Sequence, residues 1–136
     1  MKTMRKNISL ATRGPVWFVL SHMFVDTEHQ ESDYRSFAEK ILESKFTPLE
    51  IEYILWNEVF PIAGRSFSSA VGVWPSFNEN WLQTKIVNFV AGIEKGYWEN
   101  GFITVSRAEE IIKNEWQNVC KYLPSEYSDE NKIPNK

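Results

Sequence analysis

His22, Asp26 and His29 are the one group in this 136-residue chain whose types suit a metal ion. On a helix, His22 and Asp26 stand four residues apart and share a face, a spacing that zinc sites use. His29 falls beyond the expected helix end, however, and no H-E-x-x-H context surrounds the group. His22 is therefore read as a helix-flank residue, Asp26 as a helix terminator, and no metal is assigned. Glu52 and Glu58 are candidates for general acid-base work. Glu52 lies in the apolar arc of its helix, where burial would raise a carboxyl pKa, but it is also one turn from the N-terminus, where an exposed carboxylate gains from the helix dipole. Exposure is the preferred reading. Cys120 is the only cysteine, and both histidines lie far upstream on another element. It reads as a small buried hydrophobe rather than a nucleophile. Glycine-rich phosphate loops, G-x-S-x-G and nucleotide fingerprints are absent from the sequence, so no catalytic residue and no cofactor are assigned.

Binding is the chemistry that remains. Trp81 points away from the apolar stripe of its helix, among Asn78, Lys85 and Asn88. It is either covered by the irregular stretch 61–75 or exposed as an anchor of the kind that dominates protein interfaces. Trp74 and Trp98, both in connectors, carry the same ambiguity. The charge is uneven as well. Residues 1–25 hold four bases and no acid, whereas residues 26–58 hold nine acids against three bases, a local net charge of −6 within a total of −3. Such a segment repels phosphate, so the expected partner is a cationic protein surface and not nucleic acid directly. The alternative, that these acids are the solvated faces of two helices, stays open. The candidate partner-binding residues are Asp26, Glu28, Glu31, Glu52 and Glu58 with Trp74, Trp81 and Trp98.

Hydrophobic residues make up 43% and charged residues 24%, as in ordinary globular proteins, although six Trp, five Tyr and nine Phe is a high aromatic count. A lone cysteine excludes an internal disulfide or a cysteine-rich metal centre and suits a reducing cytoplasm. The apolar run Val16 to Leu20 follows basic residues, but it is too short for a membrane span and lacks a small-residue cleavage site. Neither membrane insertion nor secretion is expected.

The pattern that must position these residues is helical throughout. Thr47-Pro48 with Glu50 spells a helix start with a capping box, and apolar residues from Leu49 to Phe60 cover more than half of the cylinder. Pro61 should then stop or kink this central helix, 48–60. Before it, Gly14-Pro15 opens an apolar helix over 15–25, and Ser32 caps an amphipathic one over 32–44. After it, Ser76/Glu79 and Ser106/Glu109 read as capping boxes for helices 77–94 and 107–122, the former ended by Gly96. The expected architecture is an all-α, single-domain bundle of about five helices around the central one. It has a flexible N-terminus at 1–13, a helical domain at 14–123 and a polar C-terminal tail at 124–136. The expected core includes Trp17, Leu20, Phe24, Ile41, Leu55 and Val59, extended by Phe37, Leu82, Ile86, Phe89, Ile112, Trp116 and Val119.

Three segments carry a resemblance: P-V-W-F-V-L-S-H-M-F-V-D-T-E at 15–28, E-V-F-P at 58–61 and V-G-V-W-P-S-F-N-E-N-W-L at 71–82. With them the chain resembles a family of small bacterial helical proteins classed as a domain of unknown function, over roughly residues 15–95. That family transfers no catalytic residue. In size, acidity and aromatic content the chain is also similar to immunity proteins of contact-dependent inhibition and related toxin systems. This resemblance implies a non-enzymatic, cytoplasmic protein that binds and neutralises a cationic toxin domain, most plausibly a nuclease. The competing expectation is a small enzyme or ligand-binding module with an aromatic-lined pocket between the central helix and residues 61–75.

Overall fold

Every described element is helical. The computed structural model describes residues 10–24, 29–64, 78–93 and 104–127. Within them run α1 (Leu10–Ser21), α2 (Glu31–Ser44), α3 (Pro48–Ile54), α4 (Phe60–Ala63), α5 (Glu79–Val90) and α6 (Val105–Cys120), with short 3₁₀ turns at His22–Phe24 and Ser125–Tyr127. A five-residue π turn, Leu55–Val59, joins α3 to α4, so these three pieces form one rod and the fold is an all-α, single-domain bundle of five helices. α1 shares the centre with this rod. It packs against α2, α5 and the π turn, while α6 closes over α2 and the His22–Phe24 turn, and α5 lies along α4.

The first helix begins earlier than Gly14-Pro15 suggests. Pro15 sits inside α1 and removes a donor to the carbonyl of Ala11, but both residues face solvent, where water can take that carbonyl. Gly14 faces inward. The side-chain amide nitrogen of Gln83 on α5 stands 2.6 Å from where a Cβ would be, so the glycine leaves the space that this side chain occupies.

The caps explain the other boundary shifts. Thr47 and Glu50 form the expected capping box, with Glu50 N–H donating to Thr47 Oγ1 at 3.2 Å and Thr47 N–H to Glu50 Oε1 at 2.8 Å. Elsewhere the cap lies two residues from the expected serine. Gln30 precedes α2, its N–H donating to Asp33 Oδ2 at 2.8 Å. Asn78 caps α5 by accepting from Trp81 N–H at 2.9 Å, and Thr104 caps α6 by accepting from Arg107 N–H at 3.1 Å. Gly92, not Gly96, ends α5: at φ +85° it donates to Phe89 O while Ile93 N–H donates to Asn88 O, the paired bonds of a Schellman motif.

Of the expected core, Trp17, Leu20, Phe24, Ile41, Leu55, Val59, Leu82, Ile86, Ile112, Trp116 and Val119 are buried, and Phe37 and Phe89 are partly buried against them. Cys120 is buried too. Past Pro124 the chain is still packed, since Tyr127 is buried against the Trp116 ring, with centroids 6.4 Å apart.

Candidate functional site

Two of the charged candidates, Glu52 and Glu58, stand on the rod, and a π turn changes its register between α3 and α4. Phe60 N–H donates to Leu55 O, five residues back instead of four. The turn therefore holds one extra residue, and everything after it lags by one step of about 100° relative to a plain α-helix. On an uninterrupted wheel Phe60 would share the direction of Leu49 and Tyr53. The lag carries it inward, where it is 1% exposed and packs on Phe24 at a centroid distance of 5.9 Å. Pro61 then stands at the second position of α4, and the rod runs on past it to Ala63 instead of stopping.

Glu58, within the π turn, faces into the protein. Its carboxylate accepts from Trp17 Nε1 at 2.8 Å and from Arg13 Nε and Nη2 at 3.2 Å each. Arg13 also lies over the Phe46 ring, 5.5 Å from its centroid. Glu58 is 4% exposed, so it is not part of the solvent-facing acidic surface the sequence suggests. With three N–H donors converging on it, the carboxylate ties α1 to the rod.

The remaining candidates divide. Glu52 is half-buried and accepts from Trp116 Nε1 at 3.2 Å, which fastens α3 to α6. Glu31 is exposed in the first turn of α2, where it accepts from the Tyr122 hydroxyl; the Tyr122 ring also carries the guanidinium of Arg35, 4.9 Å from its centroid. Trp81 is half-buried and packed against the core. Asp26, Glu28, Trp74 and Trp98, and most of the stretch 61–75 expected to line a pocket, lie outside the described residues.

Each histidine ring has a partner of its own. His22 sits in the 3₁₀ turn with Nδ1 2.7 Å from Phe18 O, and His29 Nδ1 lies 3.0 Å from Glu115 Oε1. The Phe37 ring contacts both, at 5.5 and 5.4 Å between centroids. Among the described residues no three histidine, cysteine or carboxylate side chains are grouped to hold a metal ion.

Glu115 also accepts from the Tyr34 hydroxyl, at 3.1 Å. Burial, and after it the charge of Glu115, pushes the Tyr34 phenol above its ordinary range; burial does the same to Tyr127. A phenol whose folded pKa exceeds its unfolded value of about 10 contributes stability that is complete below that pH and is lost as pH rises through the folded value. Urea titrations between pH 8 and 11 are expected to show stability constant at first and falling above about pH 10. Tyr34→Phe should make the fall shallower, and an unchanged slope would remove Tyr34 from the effect.

On its outer side the rod carries a feature the sequence reading passed over. Leu49 is 47% and Tyr53 56% exposed, with Trp56 half-buried beyond them. These residues fall at i, i+4 and i+7, so they form one ridge, and helical geometry sets Glu50 on one flank and Glu52 on the other. No lysine or arginine occurs between residues 46 and 64. The wide apolar arc was the available signal. It includes a direction, that of Leu49, Tyr53 and Trp56, which the bundle leaves facing water.

The profile of a family described as a domain of unknown function, DUF7079, matches residues 11–122, from the first turn of α1 past the end of α6. No curated protein and no solved structure matches the chain. No helix among the described residues is long and apolar enough to cross a membrane.

Proposed function

Because the chain belongs to the DUF7079 family, whose function is unknown, its role has to be argued from its own surface, and we propose that it is an immunity protein. It binds a cationic bacterial toxin domain, with a nuclease the best-fitting class, and neutralises it without catalysing a reaction. The observation that carries this reading is the set of exposed carboxylates on α2 and α3, Glu31, Glu39, Glu43 and Glu50, which outnumber the exposed bases of the same segment, Arg35, Lys40 and Lys45. A net excess of carboxylates over bases accelerates encounter with a basic protein and disfavours phosphate-bearing ligands. The inward-turned acid Glu58 and the half-buried Glu52 are engaged by indole and guanidinium donors that join helices, which suits a scaffold better than proton transfer.

The test is surface plasmon resonance between the full chain and a catalytically inactive form of the toxin domain encoded beside its gene, at two salt concentrations. Reversing Glu39 and Glu43 together to lysine should slow association about tenfold or more at low salt and flatten its salt dependence. Both residues are exposed, so the fold should persist. A neighbourhood without a toxin gene, or a neighbouring toxin that does not bind, would overturn the reading.

A further inference from the structure

We propose that α3 is the element that enters the partner, and that its target is an apolar-floored groove rimmed by lysine and arginine, the kind of cleft in which a phosphate-handling enzyme holds its substrate. This rests on the neutralisation reading above and names the surface that performs it. Leu49, Tyr53 and Trp56 have the i, i+4, i+7 spacing by which a helix seats itself in a groove. From Leu49 to Trp56 the ridge rises about 10 Å, at 1.5 Å per residue. Glu50, exposed on one flank, would meet a cationic rim where a substrate's phosphates would otherwise lie, while Glu52 on the other flank is half-buried and adds its negative charge from its bond to Trp116.

The ridge is held rigid before any partner arrives. Beneath it Ile51, Ile54 and Leu55 are fully buried, the Thr47/Glu50 box fixes its first turn, and the Glu52 bond to Trp116 fastens its side. A surface already ordered loses little entropy on binding, and a large aromatic side chain such as Tyr53 adds area at low conformational cost. A second copy of this chain is a poor occupant, because pairing the ridge with itself would set Glu50 and Glu52 against their own counterparts. A basic groove answers both the charge and the shape.

The experiment uses the full chain and the inactive toxin domain encoded beside its gene. Leu49→Ala/Tyr53→Ala removes the two most exposed anchors, and Val87→Ala, on the exposed side of α5, is the control. Circular dichroism and thermal melting establish that each variant is folded. The double variant should dissociate at least about 30-fold faster than the parent with little change in association, whereas the control should match the parent. Binding by the parent with dissociation unchanged in the double variant would overturn the ridge and leave neutralisation standing. No binding by the parent overturns both. Sedimentation showing that the parent self-associates through Leu49 and Tyr53 would make a second copy the occupant and also overturn the proposal.

Discussion

Glu58→Ala is expected to destabilise the protein by about 3–5 kcal/mol, the cost of removing one partner of a buried ion pair. The substitution leaves two donors stranded: the Arg13 guanidinium, whose side chain is 24% exposed, and the indole N–H of Trp17, a residue with no exposed surface. Glu58→Gln still offers Trp17 an oxygen but cannot balance Arg13, so its loss should be smaller, about 1.5–3 kcal/mol. Urea denaturation followed by tryptophan fluorescence measures both. A loss below about 1 kcal/mol for Glu58→Ala would mean that the pair behaves like an exposed one.

Leu55→Ala is the second large effect, expected at about 2–5 kcal/mol in the same measurement. Leu55 opens the π turn with no exposed surface, and its carbonyl accepts the five-residue bond from Phe60. Because α1 and α5 both pack on this turn, the cavity left by the missing methyl groups has rigid walls and relaxes little. A loss under 1 kcal/mol would show that the rod does not sit in the core.

Helix number and most of the core are legible from periodicity alone, because burying an apolar stripe is what organises each helix. Cap positions are less so. Ser76 and Ser106, each followed three residues later by a glutamate, and Ser32, a plain cap candidate, all suit a helix start on paper, yet chain geometry selects Gln30, Asn78 and Thr104, each two residues from the expected serine. Thr47 was readable because Pro48 and Glu50 both restrict the same turn.

The π turn was hidden by the wheel used to look for helices. Two ordinary stripes displaced by about 100° merge, on a single 3.6-residue wheel, into one arc wider than half the cylinder. On a plain helix that width would imply neighbours on several sides. It records instead a change of register, with Leu49 and Tyr53 on one side of it facing water and Phe60 on the other facing the core. The inward role of Glu58 was unreadable for a related reason, since its partners Arg13 and Trp17 lie 45 and 41 residues away and share no local pattern with it.

The polar ties between helices have a consequence for the order of assembly. Helical turns close within a few residues, but Glu52 waits for Trp116 across 64 positions, Tyr34 for Glu115 across 81, and Glu31 for Tyr122 across 91. Entropy is not the obstacle, because doubling a loop adds only about 0.6 kcal/mol to its closure. Synthesis is: on the ribosome, the first four helices can form and collapse while these acceptors and donors are still solvated. The ties of Glu52, Tyr34 and Glu31 can therefore close only after α6 has emerged.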